Sequence, residues 1–451
     1  MRLSRVARFC DGQLSGADVD FLRVSTDTRD ILPGDLFVAL RGERFDGHDF
    51  IDDAKSSGAV AALCESPAPQ LPAVVVKDSR KALGLLAAGW AAEHSLIRIA
   101  VTGNAGKTTV KEMIACMLSA QPCDAAVHAT KGNLNNDIGV PLTLLGVNDG
   151  HRYGVFELGA NAPGEIAWTS SLVHPHIVMI TNVTGAHLEG FGSMQGIADA
   201  KAEIFSATAP DAVAIINADD QFAGFFTTQA LQAELHIVTV GQYSGADWRA
   251  EKISLNGSAV DFVLMHNGQR HDVHLPLAGV HQVNNALMAI AAVAEAGISL
   301  ADALPRLKNL QPVKGRMNIK ACLGGTLVDD SYNANPGSVR VAIDWLATQS
   351  VPRVLVLGNL GELGADERNI HRQLGEYASA AGLDHLITVG ALAAEAADAF
   401  GQGAVQADGH QSAAKMLQPM LAQGGTVLVK GSRSAGMDAV ITALQLIEEM
   451  R

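Results

Sequence analysis

Short apolar runs alternate along the chain with longer stretches in which apolar residues recur every three or four positions. The clearest case is Ile97 to Met117, IRIAVTGNAGKTTVKEMIACM. Its opening IRIAV, β-branched and aliphatic, predicts a buried strand that stops at Thr102 and Gly103. After the turn NAGKTT, the residues Val110, Met113, Ile114 and Met117 fall at helical spacing. Strand, tight loop and helix therefore follow one another.

The same pattern divides the rest of the chain. LFVAL lies between PGD and RGE within Ser25 to Phe50 and predicts a strand between polar loops; VAALCES and AVVVKDSR predict two more, the second ending on Asp78, Ser79 and Arg80. Residues 1–82 thus read as a small mixed α/β domain. From 83 to 312, YGVFELG, HIVMITNV, AVAIIN and HIVTVG are predicted strands with helical stretches between them, the signature of a mostly parallel sheet covered on both faces. Residues 247–277 alternate more like an antiparallel hairpin, and NNALMAIAAVAEAG follows as a helix. From 313 to 451, GTLVDD, RVLVLG, HLITVG and TVLVKG alternate with Ala/Leu-rich helices, which predicts a second doubly wound, Rossmann-like sheet with ligands at the carboxyl ends of its strands. The expected fold is α/β in three domains, with the active site in the cleft between the last two.

Composition narrows the function classes. The 451 residues suit two to four domains, and 48% hydrophobic with 18% charged residues is an ordinary globular balance. No apolar run approaches the roughly 18 residues that span a bilayer, and MRLSRVARFCDGQ lacks the apolar core of a signal peptide, so a cytoplasmic location is expected. The five cysteines show no CxxC or Cys/His metal spacing and predict free thiols. A formal charge of −14 with no large Lys/Arg cluster argues against nucleic acid as a partner. An anionic small molecule is still compatible, because a few convergent basic groups and amides outweigh screened distant charge.

The candidate chemistry sits where strands end. In the loop after IRIAV, Gly103 and Gly106 let successive amides face inward as an anion nest at a helix N-terminus; Lys107 would reach the outer phosphates and Thr108 would ligate Mg²⁺. The motif is a shortened G-x-x-G-K-T, since Val101 stands where the full P-loop pattern has its first Gly. Glu157 closes YGVFELG, where a carboxylate is a good Mg²⁺ ligand, and His187 follows HIVMITNV in a Gly-rich segment. Lys201 lies in a predicted helix, GIADAKAEIF. Asp330 ends GTLVDD, Arg316 lies at the junction of the second and third domains beside Gly315, which would leave that junction free to rotate, and Lys430 and Arg433 follow TVLVKG. Read singly, each is equally a solvated polar residue of a helix or loop.

Taken together, STDTR…PGDLFVALRGERFDGHDF, TGNAGKTTVKE, KGNLNNDIGVPLTLL, FELGANAPGEI, TNVTGAHLEGFGS, AKAEIF, GVHQVNNALMA, GRM, DDSYNANPGS, LGNLGELG and KGSRSAGM closely resemble, in order and spacing, the Mur ligase family, from about Ser25 to Met437. The resemblance implies that Gly103, Asn104, Ala105, Gly106, Lys107, Thr108 and Thr109 form the ATP loop, with Thr108 on one Mg²⁺. It implies that Glu157 and His187 hold a second Mg²⁺, and that Lys201 is carbamylated, turning a cation into a carboxylate-like anion near that metal. Gln282 and Asn285 match the adenine contacts, Arg316 a phosphate contact and Asp330 the ribose contact. Ser25, Thr26, Arg29, Arg44, His48, Asn135 and Asn136 match the nucleotide-sugar side. Asn333, Asn335, Lys430, Ser432 and Arg433 belong to the third-domain segments near the incoming amine. Three positions depart from the pattern: Gln282 replaces Asn, Lys314 replaces Pro, and Asn359 replaces Asp, which loses a charge.

Within the family the resemblance is to the branch that joins D-alanyl-D-alanine to UDP-N-acetylmuramoyl-tripeptide through an acyl phosphate, giving UDP-N-acetylmuramoyl-pentapeptide, ADP and phosphate. The implied domain roles are UDP binding for 1–82, ATP binding for 83–312 and dipeptide binding for 313–451, in a monomer. Two relatives compete. A sister ligase adding a diamino acid as third residue carries a DNPR string, which does not occur here. Folylpolyglutamate synthase shares the P-loop and lysine chemistry but not the pair DDSYNANPGS and KGSRSAGM. A P-loop protein without ligase activity would keep Lys107 and have no use for Glu157, His187 and Lys201 together.

Overall fold

The computed structural model describes residues 1–42, 45–119, 126–184, 188–243 and 245–449. Three sheets follow one another along the chain. The first contains β1 (Gln13–Ser15), β2 (Val24–Ser25), β3 (Leu36–Val38), β4 (Ala61–Cys64) and β5 (Ala73–Val75) in the order β1-β5-β4-β3-β2. Only β1 runs antiparallel. Every residue of β3 and β4 is buried, as expected of apolar runs covered on both faces.

The apolar run AVVVKDSR ends as a strand at Val75, earlier than its sequence suggests. Asp78, Ser79 and Arg80 instead open the helix Ser79–Ala91, because the Asp78 carboxylate accepts the Lys81 N–H at 2.9 Å and caps it. This helix belongs to two cores. Leu83 and Leu86 pack with β3 and β4, whereas Ala87 and Ala91 pack under the second sheet. The division expected after residue 82 therefore falls inside a continuous helix. The other expected division, after residue 312, lies in the extended segment before the third sheet.

The second sheet holds β6 (Ile97–Thr102), β7 (Val127–Ala129), β8 (Tyr153–Glu157), β9 (Ile177–Ile180), β10 (Val213–Asn217), β11 (His236–Gly241), β12 (Trp248–Asn256), β13 (Ala259–His266) and β14 (Gln269–Leu275), ordered β14-β13-β12-β11-β10-β9-β6-β8-β7. The strands from β7 to β12 in this order are parallel. The predicted hairpin is a three-stranded meander, β12-β13-β14, that extends the same sheet because β12 pairs in parallel with β11. Since β8 and β9 flank β6 on opposite sides, the chain reverses its direction of winding at β6, and a crevice opens at the carboxyl ends of these strands. The helix Lys107–Leu118 leaves that crevice. Its residues Val110, Met113, Ile114 and Met117 are fully buried, facing β6 and β8 and the apolar helix His281–Glu295.

The third sheet comprises β15 (Asn318–Cys322), β16 (Gly325–Asp330), β17 (Arg353–Gly358), β18 (His385–Val389), β19 (Ala404–Ala407) and β20 (Thr426–Lys430), ordered β15-β16-β20-β17-β18-β19, parallel except for β15. Among the described residues no helix is long and apolar enough to cross a membrane.

Candidate active site

The loop between β6 and the helix Lys107–Leu118 is shaped by two glycines. Gly103 has φ +135° and a Cβ there would overlap Thr181 Oγ1; Gly106 has φ +84° and its Cβ would lie 2.6 Å from Asn285 Oδ1. Both backbone conformation and close approach therefore exclude a side chain. Asn182, at the end of β9, holds the loop from outside: its Oδ1 accepts the Ala105 N–H at 3.0 Å and its amide donates to Ala105 O at 3.1 Å. Lys107 folds back to donate to Gly103 O at 2.7 Å, and burial lowers its pKa, with Glu157 opposing that shift and Arg316 adding to it. An ammonium so placed is ready to exchange one carbonyl for an anion.

Beside the loop, Thr108 Oγ1 donates to Glu157 Oε2 at 2.8 Å, and Asn135 donates from its amide to Glu157 Oε1 at the same distance. Thr130 Oγ1 accepts the Glu157 N–H at 3.0 Å. The carboxylate is thus buried and fixed at both oxygens. Asn135, expected on the nucleotide-sugar side, has its amide on this carboxylate, because β7 and β8 are neighbours and their carboxyl ends share one crevice. Lys201, on the helix Met194–Ala202, is 1% exposed with its ammonium 5.5 Å from the Phe191 ring centroid. Burial, then the charge of Lys107, pushes its pKa down to about 7. His187 and Arg44 lie outside the described residues.

A cavity of about 220 Å³ joins this machinery to the third sheet, lined by Lys107, Thr108, Asn285, Arg316, Asp330 and Lys430 among others. Asp330 and Lys430, at the ends of the adjacent parallel strands β16 and β20, form a buried ion pair at 2.5 Å. Asp330 also accepts the Met317 N–H at 3.1 Å, and Lys430 donates to Asn333 O at 3.2 Å. His281 is half-buried beside them and its pKa falls to about 4, chiefly by desolvation. Gln282 Oε1 accepts from Asn285 Nδ2 at 2.9 Å, so glutamine in place of asparagine still holds its partner by an amide.

The Arg316 guanidinium lies 4.6 Å from the Tyr332 ring centroid and that of Arg433 lies 5.5 Å from it. Gly315, read from sequence as a freely rotating junction, also permits a close approach here: it has φ +73°, a Cβ would meet Tyr332 Cβ at 2.9 Å, and its carbonyl accepts the Tyr332 N–H at 3.0 Å. Lys314, the Pro replacement, is exposed.

Several expected contacts are occupied by local structure. Asn335 and Ser338 form a capping box on the helix Pro336–Ala347, and Asn136 Oδ1 accepts the Gly139 N–H at 2.8 Å, at the start of the helix Gly139–Leu145. The Asn-Pro-Gly-Ser string was the available signal for the first cap. Asn333 Oδ1 accepts from Ala334 N and Arg433 N, and Ser432 Oγ donates to Asn359 O at 2.6 Å. Asn359 Oδ1 in turn accepts the Ala393 N–H at 2.9 Å, a bond that needs an oxygen and no charge. Ser25, Thr26, Arg29 and His48 lie on the first sheet's side and do not line the cavity. There Arg29 is exposed and paired with Asp27, whereas His48 accepts the Glu65 N–H at 2.9 Å and holds Asp46 through Nδ1. Sequence reasoning missed Asn182, Thr130, His281 and Tyr332; Asn182, a polar residue two positions beyond a buried apolar strand, carried the clearest signal.

Three family models match the chain in succession: the Mur ligase family catalytic domain over residues 21–91, the Mur ligase middle domain over 101–293, and the Mur ligase glutamate ligase domain over 315–433. The UDP-N-acetylmuramoyl-tripeptide–D-alanyl-D-alanine ligase of Escherichia coli (strain K12) is 43% identical over 449 residues, 98% of both chains. The chain belongs to the Mur ligase family. Among Mur ligases of known structure, a crystal structure of MurF from Acinetobacter baumannii superposes with a TM-score of 0.92 at 36% identity, covering 98% of each chain. MurF ligase from Thermotoga maritima, crystallised in complex with ADP, superposes at 0.84 with 26% identity, covering 95% of this chain and 98% of its own. The three sheets described above are thus the Mur ligase architecture.

Proposed function

We propose that this chain joins D-alanyl-D-alanine to UDP-N-acetylmuramoyl-tripeptide, using ATP, to give UDP-N-acetylmuramoyl-pentapeptide, ADP and phosphate in the cytoplasm. The reading is carried by the 43% identity over 98% of both chains to a ligase of that name, and is supported by a cavity that joins a phosphate loop to basic groups of the third sheet.

A peptide carboxylate is a poor electrophile. Transfer of the terminal phosphoryl group of ATP to one of its oxygens makes an acyl phosphate, and the dipeptide amine then attacks the carbonyl carbon; a tetrahedral intermediate collapses with loss of phosphate, and the amine loses its proton. In this scheme the loop amides of residues 103–109, Lys107 and Arg316 hold the phosphates and offset the charge that grows on the transferring group. Gln282 and Asn285 meet adenine, and Asp330 meets the ribose. Lys430, Ser432 and Arg433, with Asn333 and Asn335 behind them, face the dipeptide. Ser25, Thr26, Arg29, Arg44, His48 and Asn136 serve the nucleotide sugar. The first, second and third units would bind UDP, ATP and dipeptide respectively, in a monomer.

Thr108 and Glu157 present a hydroxyl and a carboxylate 2.8 Å apart, a hard oxygen pair that fits Mg²⁺. Bound there, and at a second position that Glu157 shares with His187, Mg²⁺ would supply Lewis-acid neutralisation of phosphate charge. Lys201 supports the second position, since an amine with its pKa near 7 is partly neutral and can add to CO₂, releasing a proton to leave a carbamate anion.

Phosphate release tests the reading. It should require UDP-N-acetylmuramoyl-tripeptide and D-alanyl-D-alanine together. Release driven instead by a diamino acid and the dipeptide precursor, or by glutamate and a folate, would assign the chain to one of the two competing ligases.

A further inference from the structure

Thr184 lies just beyond β9, where the second unit meets the third. Its backbone N–H donates to Asn104 Oδ1 at 3.3 Å, which fixes it beside the phosphate loop. Its hydroxyl Oγ1 is buried and has no hydrogen-bond partner, although the residue lines the same cavity as Lys107 and Thr108. Across the seam stands Gly337, in the first turn of the helix Pro336–Ala347. A Cβ at Gly337 would lie 2.9 Å from Thr184 Cβ and 3.3 Å from Oγ1. Only a residue without a side chain lets the two units meet so closely beside this hydroxyl.

A buried hydroxyl without a partner costs stability, and folded proteins keep few such groups. Valine would fill the same space without that cost. What distinguishes threonine here is an unused donor on a residue that lines the same cavity as the loop amides, Lys107 and Arg316, groups that suit an anion. We propose that Thr184 is a nucleotide-binding residue whose hydroxyl donates to a phosphate oxygen of the nucleoside triphosphate, with Gly337 keeping the seam narrow enough to exclude water from that bond. The proposal rests on the cavity being the nucleotide site.

The test compares wild type, Thr184→Val and Thr184→Ser by calorimetric titration with a non-hydrolysable ATP analogue and Mg²⁺, and by melting without nucleotide. Thr184→Val should weaken analogue binding about tenfold, the loss of one hydrogen bond to a charged group, while Thr184→Ser, which keeps the hydroxyl, should stay within about threefold. Without nucleotide, Thr184→Val should melt no lower than wild type, because it removes an unsatisfied group. Wild-type affinity in Thr184→Val would overturn the proposal. So would a fall in its nucleotide-free melting temperature with serine failing to restore binding, since that is the behaviour of a purely structural side chain. Failure of wild type itself to bind the analogue would overturn the nucleotide reading of the cavity instead.

Discussion

Thr108 and Glu157 are 49 residues apart in the chain and 2.8 Å apart in space, hydroxyl to carboxylate. The first residues of the phosphate-loop helix are thereby tied to the end of the neighbouring parallel strand, and Asn135 secures the other carboxylate oxygen. Glu157→Gln keeps the shape and one acceptor but loses the charge. Turnover should fall on the order of 10²-fold, and the Mg²⁺ concentration giving half-maximal rate should rise. Steady-state rates across a Mg²⁺ series check this, and an unchanged Mg²⁺ dependence would take Glu157 out of the metal site.

Lys201 is buried beside an aromatic ring. If it acts only as a carbamate, Lys201→Ala should lose activity and regain part of it when a short carboxylic acid is added in excess, because the acid fills the vacated space with an anion. The measurement is phosphate release against acid concentration, with circular dichroism to show an intact fold. No rescue by any small carboxylate would count against the carbamate.

His281 gives a pH dependence of known sign. Its folded pKa of about 4 lies below the ordinary 6.5, so between these values the unfolded chain binds a proton that the folded chain does not. Stability should fall as the pH drops from about 6.5 to about 4, and the contribution should be level above that window. His281→Gln should flatten the decline. Urea midpoints at pH 7 and pH 4.5 for both proteins measure it; equal declines in both would place the acid sensitivity elsewhere.

Asp330 and Lys430 are both buried, so removing one leaves an uncompensated charge. Lys430→Met should destabilise the third unit by about 3 kcal/mol, and adding Asp330→Asn should recover part of that loss. Denaturant melts of the single and double variants decide the matter. Additive losses would mean that the two groups do not stabilise each other in the folded chain.

The alternation of apolar runs and helical spacing is a local property, and it determined the three α/β sheets, the strand–loop–helix around Lys107 and the strand-end positions of Glu157 and Asp330. It worked because buried parallel strands must be continuously apolar and because a phosphate loop needs glycine at particular places. The resemblance to one family came from many short stretches in fixed order, again readable without coordinates. What the sequence could not decide was which strand ends meet. Glu157 faces Asn135 because β7 pairs with β8, Asp330 faces Lys430 because β20 inserts between β16 and β17, and Thr184 faces Gly337 because two units close on each other. Strand order and the contact of one unit with another depend on pairings between residues tens of positions apart, which leave little mark on either partner's neighbours in sequence. Polar residues show the limit best: Asn335 and Asn135 are both asparagines in loops, and only the tertiary structure makes one a helix cap and the other the clamp on a buried carboxylate.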